Sequence, residues 1–596
     1  MKATLIFDNV NDLLYSKWDE EFIERMKSLS EQHSDLDLTD GSKVSQLLSP
    51  IITSQRVMAA QFGNTYSSMQ CKDDTTIVFD EWLDHIFIII SEQSVDDAQR
   101  EMLDLKTFVQ HICGQNINLL QSPVYRNWLS VLIDSRTKGD SIPGATGIIG
   151  ESGATGAALN ALKSASKQIK GQYHLMLFVG DKQLALYSSR GTEELTPPDL
   201  ILISMQCIAA QEYWEESGSQ YDDVTIRLPW LSEQNSAVVQ LCAGAAHAHA
   251  HAHAPCAPHS LHVARVAPRL VLLVLRDLQM REVGTAVNMA SQILSNLRRL
   301  LLQRNLELLP STLDTLEAAL KKTTDALRKN KSNANLCARL SSRMLELRKS
   351  CTTTTPLTPE TTATAMHTAL ETVIELLKPD IPSLNLAVPL KEVKTAMAPY
   401  VDFLKIKAQR YFSMGSCGSD ASSLTLHKYV EEFPGLIHFV YVDRTAGRFL
   451  APDMADCADM LSPHTVHNII SRSLALTREG YSAATWRRGA LHACSVLWWE
   501  RRAAPARPAY PTRPARAPHP AAVRALPPPG DILNSFYRQL AELAFPNDSQ
   551  GVTIKELICV HLGLLPATTA VQQARRLAHT VHELFTDNPA TATDLL

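Results

Sequence analysis

Residues 429–452 constrain the fold of this chain more than any other segment, and their sequence is Y-V-E-E-F-P-G-L-I-H-F-V-Y-V-D-R-T-A-G-R-F-L-A-P. Pro434-Gly435 predicts a turn, because proline presets φ and glycine tolerates positive φ. Residues 436–442 are a β-branched and aromatic run, which favours a strand. Residues 443–447 then reverse the chain, and residues 448–451 return along it. The segment therefore predicts a β-hairpin, and it contains no pattern typical of a nucleophile, a metal cage or a phosphate loop.

Length and composition limit the kind of protein. The chain has 596 residues, of which 45% are hydrophobic, so it can bury several cores, and we expect roughly three to four domains. The net charge of −5 argues against a general nucleic-acid binder, since such proteins usually carry a basic excess. The 11 cysteines are scattered without a C-x-x-C pair. This favours reduced, mostly buried thiols in the cytosol and disfavours a zinc site.

The sequence contains no pattern typical of a membrane segment. Only five residues separate Lys2 from Asp8, which is too few for the apolar region of a signal peptide. No run approaches the roughly 18 apolar residues that a transmembrane helix needs. The longest candidate, residues 270–275, has the length of a strand. We therefore expect the chain to reach a membrane indirectly, through a partner.

Residues 1–140 form the first predicted domain. The predicted strands are 3–7, 13–18, 75–80 and 85–90, and a further strand fits 66–71. The predicted helices are 44–58, 98–119 and 124–133, the first because its apolar residues recur at helical spacing. Residues 85–90 are nearly all β-branched, which indicates a central strand. The order predicts an antiparallel sheet flanked by helices.

A second domain is predicted at 171–308, after a flexible linker at 141–170. In the linker, five glycines recur at every third residue from Gly144 to Gly156. A collagen needs many more triplets, and a phosphate loop needs Gly-Lys-Ser/Thr after its glycines. The predicted strands of the second domain are 174–179, 183–187, 261–266 and 270–275, and its predicted helices are 197–214 and 284–305.

Residues 309–420 are predicted to be a helical connector, and residues 421–596 a third domain that begins with the hairpin. The connector has basic residues at its exposed positions between Lys321 and Lys349, which are typical of a solvated helix face. In the third domain a strand is predicted at 491–499, and helices are predicted at 464–477, 535–543, 554–565 and 571–585, with Arg575 and Arg576 exposed on the last helix.

Two segments of biased composition interrupt this pattern. Within 243–259, histidine alternates with alanine four times, which would put His247, His249, His251 and His253 on one face of an extended chain. Such a row could bind Zn²⁺ or Ni²⁺ weakly, but no second shell accompanies it, so a low-complexity insert or translated non-coding sequence fits better.

The second biased segment, 501–530, holds six arginines, nine prolines and no acidic residue. Proline at this density excludes a central strand, because it cannot donate ladder hydrogen bonds. The segment fits a disordered loop or a mispredicted exon better than a polyproline II ligand or a basic arm. We therefore predict that the sheet of the third domain lacks a strand here.

No motif indicates covalent catalysis. The chain lacks GxxxxGK[ST], HExxH, GxSxG and kinase-type motifs. Its isolated histidines, which are His85, His111, His438 and His561, are typical of core residues. Asp443 and Arg444 are predicted to serve a turn, and Trp498-Trp499 to pack in a sheet. We predict no catalytic, cofactor-binding or metal-binding residues, and a binding or assembly function.

Several separated segments together resemble the family of the Hermansky–Pudlak syndrome type 1 protein, a subunit of the biogenesis of lysosome-related organelles complex 3. The segments are 44–52 (V-S-Q-L-L-S-P-I-I), 177–199 (from L-F-V-G-D-K-Q-L-A-L-Y-S-S to L-T-P-P-D), the hairpin at 429–452, Gly530-Asp531 and 571–575 (V-Q-Q-A-R). Their order and rough spacing follow the family over nearly the whole chain. The sequence departs from the family pattern at 501–530, where the family has sheet strands.

The resemblance implies a fold and a function. The fold is α/β (α+β): three longin-like domains, each an antiparallel sheet flanked by helices, with helical and disordered linkers. The family forms a heterodimer with the type 4 protein of the same syndrome, is similar to the Mon–Ccz exchange factor, and promotes GDP release from Rab GTPases of lysosome-related organelles. The implied location is cytoplasmic, peripheral to endosomal or lysosome-related organelle membranes.

The resemblance places the Rab and partner surface on the first longin domain without assigning its residues. It implies no covalent catalysis, because nucleotide exchange needs only a surface that opens the nucleotide pocket of the Rab. The alternative is a non-catalytic longin scaffold or tether of a trafficking complex. An apolar patch on the first domain favours exchange, and a fully polar face favours scaffolding. A hydrolase or transferase has the least support.

Overall fold

The structure is a computed structural model of the whole chain, and some segments lie outside the part that it describes. These are residues 30–40, 64, 137–141, 150–151, 218–226, 234, 243–255, 268, 304, 306, 330–333, 353–365, 367–369, 371, 375, 378–387, 412–431, 453–460, 502–509, 515, 587–590 and 594–596. Most of the His/Ala-rich insert, and the start of the Pro/Arg-rich insert, fall in these segments. In the described part, no helix is both long enough and apolar enough to cross a membrane.

The first module is a five-stranded antiparallel sheet with helices on both faces. Its strands are β1 (Lys2–Phe7), β2 (Leu13–Trp18), β3 (Ser68–Gln70), β4 (Thr76–Trp82) and β5 (His85–Ser91), in the order β2-β1-β5-β4-β3. Its helices are α1 (Glu20–Leu29), α2 (Gly41–Phe62), α3 (Val95–Cys113) and α4 (Pro123–Ser135), with a 3₁₀ turn at Ile117–Gln121. All four strands predicted here are confirmed, as is the further strand near 66–71.

The apolar sequence of β5 explains its central place in that sheet. All seven of its residues are buried, and it pairs with β1 on one side and with β4 on the other. Helices α1 and α2 cover one face, where Phe22 and Ile52 pack with Leu5. Helices α3 and α4 cover the other face, where Phe108 and Trp128 pack. A strand whose two faces are both covered is apolar at most of its positions.

The second module repeats this strand order. Its strands are β7 (Tyr173–Val179), β8 (Lys182–Ser188), β9 (Ser236–Leu241), β10 (Ala257–Ala267) and β11 (Leu270–Asp277), after a short strand β6 (Thr146–Ile148). Its helices are α5 (Ser152–Ser166), α6 (Pro197–Glu216) and α7 (Arg281–Leu302). The order β8-β7-β11-β10-β9 corresponds to the order of the first sheet. Helix α6 begins at Pro197, as predicted, and a capping box between Thr196 and Asp199 stabilises its start.

Two features of the second module differ from prediction. Strand β9 was not predicted, although it contains two adjacent valines. Residues 257–259, placed in the His/Ala-rich insert, belong to β10 and pair with β9. The insert as predicted is therefore too long at its C-terminal end, because the histidine of the sequence A-P-H-S is a buried strand residue.

The predicted connector 309–420 is helical where the structure describes it. It contains α8 (Leu309–Lys329), α9 (Ala334–Thr352) and α10 (Leu390–Tyr411). Helices α7, α8 and α9 share a hydrophobic cluster. Helix α10 instead packs beside α5 over the second sheet, where Met397 and Leu404 join Leu162 and Leu175. The last part of the connector is thus a layer of the second module.

The third module has the same strand order again. Its strands are β12 (Leu436–Asp443), β13 (Arg448–Leu450), β14 (Ala483–Arg488), β15 (Leu491–Arg501), β16 (Tyr510–Thr512), β17 (Val552–Leu562) and β18 (Thr591–Thr593). Its helices are α11 (Pro463–Arg478), α12 (Pro520–Arg524), α13 (Ser535–Ala544) and α14 (Ala567–Thr586). The path β14-β15-β17-β12-β13 repeats the order of the first sheet, β16 adds to β15, and β18 pairs with β8. The predicted α/β class is confirmed.

The prediction that the third sheet lacks a strand is wrong. The fifth strand is β17, at a place where we predicted a helix over 554–565. Its run V-T-I-K-E-L-I-C-V-H-L is buried at every position but the last. Lys555 and Glu556 interrupt the apolar pattern, yet both are buried because Asp443 and Arg444 neutralise them. Within 501–530, residues 510–512 and 520–524 form β16 and α12, so their part of the segment is not a disordered loop.

The prediction of a flexible linker at 141–170 is also wrong. Strand β6 runs parallel to β13 on one side and to β8 on the other, so it joins the second and third sheets into one. Helix α5 follows, with Ala158, Ala161 and Ala165 fully buried. At Gly144, at Gly147 and at the buried alanines of α5, the packing is close and leaves little room for a larger side chain. A Cβ atom on Gly147 would lie 2.9 Å from Cγ of Lys182 and 3.1 Å from Cζ of Phe449.

The hairpin predicted at 429–452 is confirmed from Leu436 onward. Gly435 and Gly447 have φ values of +83° and +60°, which favour glycine. Arg444 lies in the predicted turn, and its side chain is fully buried. Its Nε donates to Glu556 at 2.7 Å, its Nη1 donates to the Pro143 carbonyl at 2.6 Å, and its guanidinium lies 4.8 Å from the ring centre of Tyr537.

The first prediction concerns the close approach at Gly147. The G147A variant should be destabilised by about 1–3 kcal/mol, because the added methyl group meets a buried lysine stem and an aromatic ring. The measurement is the free energy of unfolding in urea. The matched control is G156A in α5, where an added Cβ has no atom within 4 Å. It should be neutral or stabilising by up to about 1 kcal/mol, and equal effects of the two changes would contradict the prediction.

The second prediction concerns the buried ion pair. R444M should lower the free energy of unfolding by about 3–5 kcal/mol, because it leaves the Glu556 carboxylate buried without its cation. The double variant R444M/E556L should recover much of this loss. R343M, which removes an ion pair between half-exposed side chains, is the control and should change stability by less than about 1 kcal/mol. A double variant as unstable as R444M would show that charge burial is not the cause.

Candidate partner-binding surface of the first module

The two helical faces of the first module have different surroundings. Helices α3 and α4 pack into a core shared with the second module, and the indole Nε1 of Trp128 donates to Oε1 of Gln206 in α6 at 2.9 Å. The His111 ring bonds the Gln240 carbonyl in β9 at 3.0 Å. This face is therefore used within the chain, and the opposite face, which carries α1 and α2, is the one left for a partner.

Helix α2 is apolar on more than its buried face. Val44, Leu48 and Ile52 are buried at spacings of four residues against the sheet. A second stripe runs beside them and consists of Leu47, Ile51 and Met58, at spacings of four and seven residues.

The second stripe is only partly covered in this chain: Ile51 and Met58 are partly buried, and Val57, one position before Met58, extends the stripe into solvent. Leu47 is 37% exposed, and Val57 and Phe62 on the same helix are 41% and 68% exposed. We call Leu47, Ile51, Val57 and Met58 the α2 stripe. An amphipathic helix on a lone module would place polar residues there, so the stripe is a candidate contact surface.

Edge strand β3 is held against α2 by a pair of reciprocal hydrogen bonds. The side-chain amide of Gln55 donates to the Tyr66 carbonyl and accepts from the Tyr66 amide, both at 3.0 Å. Tyr66 and Met69 are 39% and 38% exposed. Gln55 therefore ties α2 to the segment that leads into β3, and this segment exposes the further apolar side chains of Tyr66 and Met69.

Arg56 fixes the end of α2 to two strand turns. Its Nη2 donates to the carbonyls of Asp8 and Asp84 at 2.8 and 2.9 Å, and its Nη1 pairs with Glu81 at 3.1 Å. Burial is the main cause that lowers the pKa of Arg56, and burial likewise raises the pKa of Glu81. Because an arginine stays charged far above neutral pH, this anchor persists under physiological conditions.

The same turn at Asp84 docks the first module on α7. Arg298 pairs with the Asp84 carboxylate at 2.7 Å, and the Ser295 hydroxyl donates to it at 2.9 Å. The side chain of Gln303 donates to the Ala59 carbonyl at the end of α2. These contacts orient α2 relative to the second module.

A cavity of about 590 Å³ lies between the first and third modules. Its charged lining residues are paired with one another: Lys2 with Glu101, Arg100 with Asp97, and Arg136 with Asp104. Asp104 also accepts a hydrogen bond from the Ile532 amide at 2.8 Å, which ties α3 to the third module. The charges of this cavity thus serve the contact between modules.

Asp531 lies fully buried beside that contact and caps the start of α13, where it accepts from the Ser535 amide at 3.0 Å. Burial is the main cause, and the neighbouring Asp104 the second, that raise the pKa of Asp531 to about 6. An aspartate with this pKa is mostly ionised at neutral pH, so the protein carries a buried negative charge there at the expense of stability.

The isolated histidines are core residues, as their sequence context predicts. His85, His111, His438 and His561 are all buried. Burial is the main cause that lowers the pKa of His111, His438 and His561 to about 4, so these three are neutral at physiological pH. Their protons are therefore unavailable for acid–base chemistry near pH 7.

Catalysis and metal binding require several polar side chains directed at one point, and the described residues do not show such a set. No group of three or more His, Cys, Asp or Glu side chains in the described part is placed to hold a metal ion. Trp498 packs near Tyr441 with ring centres 5.9 Å apart, as expected for a sheet residue. The candidate functional feature of the first module is therefore a surface for binding a partner.

Sequence reasoning expected a functional surface on the first module but did not name its residues. The periodicity of α2 predicted its buried face, and Leu47, Ile51 and Met58 were counted in that face. The two stripes contain residues that are neighbours in the sequence, such as 47 and 48 or 51 and 52. Only the packing of the helix therefore shows which of them are buried against the sheet. A broad apolar face, wider than one sheet contact needs, was the available signal.

The third prediction concerns Asp531. Its pKa is higher in the folded protein than the ordinary value of 3.8, so stability is lost as pH rises from about 4 to 6 and stays reduced above that. D531N keeps one acceptor for Ser535 and cannot ionise, so it should be more stable than the wild type at pH 7.5 by about 1–3 kcal/mol. Urea unfolding at pH 5 and 7.5 tests this, and an advantage that shrinks as pH rises would contradict it.

Residues 2–132 of the chain, from β1 into α4, match the family model described as the first longin domain of FUZ, MON1 and HPS1. The match covers the sheet, α2 and the helices that pack on the second module. The first module is therefore a longin domain of the type found in FUZ, MON1 and HPS1.

Proposed function

We propose that this protein is one subunit of a heterodimeric guanine-nucleotide exchange factor that promotes GDP release from Rab GTPases in the biogenesis of lysosome-related organelles and in vesicle traffic. Its partner would be a second longin protein similar to the type 4 protein of Hermansky–Pudlak syndrome. The observation that carries the proposal is the first longin domain, which belongs to a type found in trafficking proteins and has a partly exposed apolar stripe on helix α2.

The α2 stripe supports a partner rather than an isolated module. Leu47 and Val57 are over one-third exposed, and the segment that Gln55 ties to α2 exposes Tyr66 and Met69. Apolar side chains that recur on one helix beside an unpaired strand edge are the usual material of a protein–protein contact. A second longin domain placed here would complete a composite surface for the Rab.

The chemistry of exchange requires only differential binding. A factor that binds nucleotide-free Rab more tightly than GDP-bound Rab shifts the equilibrium toward release of GDP, and no bond is made or broken. The buried, neutral histidines and the absence of a metal-binding group among the described residues are compatible with such an activity. The contribution of this chain would be surface shape and apolar area.

The test is a nucleotide-release assay. The full chain is co-expressed with the longin partner, and the complex is mixed with a panel of Rab proteins loaded with fluorescent GDP. Acceleration of release from at least one Rab by tenfold or more is expected. A stable heterodimer that accelerates none of them would contradict exchange activity and favour the alternative, a non-catalytic longin scaffold or tether.

The fourth prediction locates the contact. The double variant L47D/V57D should lower the affinity for the partner or the Rab at least tenfold, because it puts two charges into an apolar contact. Size-exclusion chromatography reports a loss of the partner, and fluorescent-GDP release by the intact heterodimer reports a loss of the Rab. The matched control is L345D on α9, where Leu345 is 56% exposed. Equal losses in L345D and L47D/V57D, or none in either, would show that the α2 stripe is not the surface.

A further inference from the structure

Two loops meet at one end of the third module and form an apolar point with basic neighbours. One is the turn between β14 and β15, residues 487–490, and the other is the connection between β17 and α14, residues 562–566. The amide of Gly563 donates to the Ala490 carbonyl at 2.7 Å, and the amide of Leu562 donates to the Gly435 carbonyl at 2.8 Å. We call residues 487–490 and 562–566 the β15–β17 tip.

The tip holds a leucine almost entirely in solvent. Leu564 is 94% exposed and Leu562 is 44% exposed. Their neighbour Leu565 packs against the core instead, and its carbonyl bonds the His492 ring at 2.8 Å. The loop is thus fixed on both sides of Leu564, so its exposure follows from the fold of the tip.

Arginines accompany the leucines. Arg487 and Arg488 are exposed at the end of β14, and no ion pair involves either of them among the described residues. Arg575 and Arg576 follow on the exposed side of α14, where the Arg576 guanidinium lies 5.6 Å from the ring centre of Phe433. Among the described residues of the segment that contacts the tip, Glu432 is the acidic one, and its neighbour Glu431 lies outside the described part. The four arginines outnumber these two carboxylates.

This combination suits one kind of partner. A stable protein contact buries about 800 Å² on each side, whereas the apolar part of the tip is two leucine side chains. A protruding apolar side chain with arginines at its base matches an anionic phospholipid surface, where the apolar group enters the acyl boundary and the guanidinium groups meet the phosphates. An adjacent pair of arginines without carboxylate partners remains available for those phosphates.

We propose that the β15–β17 tip is a membrane-contact site, which inserts Leu562 and Leu564 into an anionic phospholipid surface while Arg487 and Arg488 contact the headgroups. The site adds a direct contact to the indirect, partner-mediated route that the sequence leads us to expect. It does not rest on the exchange activity, because it lies on another module and uses other residues. Each arginine near an anionic surface strengthens binding about fivefold, so the contact is weak and reversible alone and becomes effective beside a second membrane signal.

The experiment is flotation of the purified full chain with two kinds of vesicle, phosphatidylcholine alone and phosphatidylcholine with about a third phosphatidylserine. We expect binding to the second kind, weakened by salt. The change R487S/R488S should reduce the partition constant about 25-fold, because two fivefold contributions are lost. L564S should reduce it about tenfold or more, because an inserted leucine is replaced by a polar side chain. Both sites are exposed, so folding should persist, and thermal unfolding checks it.

Matched controls come from the helical segment. K321S/K322S removes an adjacent pair of exposed lysines on α8, and L345S removes a half-exposed leucine on α9. Neither should change flotation by more than about twofold. The proposal is overturned if the chain binds neutral and anionic vesicles equally, if the tip variants float like the wild type, or if the controls lose as much as the tip variants. It is also overturned if the tip variants lose a protein partner but keep their vesicle binding, since the tip would then be a protein interface.

Discussion

Strand β6 is only three residues long, Thr146–Ile148, but it forms hydrogen bonds along both of its edges. This pairing determines how most of the molecule is arranged. Strand β6 bonds to β13 and to β8, so the edges of two sheets that would otherwise be exposed meet through it. The neighbouring strands approach β6 so closely that residue 147 has no room for a side chain. Arg444 donates to the carbonyl of Pro143, three residues before β6, and Glu556 pairs with Arg444. A backbone contact and a buried charge pair thereby support the same junction.

The three modules share one strand order, but the β6 junction attaches them to one another in different ways. The second and third sheets are joined at their edges, and together they form a platform. The first sheet is attached by its helices instead: α3 and α4 enter the core of the second module, and Asp104 bonds the third module. Attachment through that face leaves α1 and α2 outside. The exposed stripe on α2 is therefore a consequence of how the modules are stacked.

The functional picture that follows is one of surfaces. In our proposals the first module supplies a contact for a longin partner and a Rab, and the third module supplies a contact for an anionic membrane. The two surfaces belong to different modules that are held in one body by the β6 junction and by the Asp84 contact with α7. An exchange factor needs its Rab surface at a constant position relative to the membrane to which the Rab is anchored, and a platform of joined sheets supplies that rigidity.

Local pattern alone determined much of the fold. The strands of the first module, the start of α6 at Pro197 and the glycines of the 429–452 hairpin follow from periodicity, helix-start chemistry and turn chemistry, which act over a few residues. Prediction failed where distant residues decide. A helix was predicted at 554–565 where the structure has β17, because Lys555 and Glu556 are buried in that strand only beside Asp443 and Arg444. A flexible linker was predicted at 141–170, where Gly147 instead lies between two sheet edges that the local sequence does not show. The same holds for α2, whose sequence shows that the helix is apolar, while only the packing of α3 and α4 decides which apolar residues stay in solvent. The sequence by itself therefore determined the elements and their class, and tertiary contacts decided the junctions and the surfaces, because burial of charge and pairing of edges depend on neighbours far away in the chain.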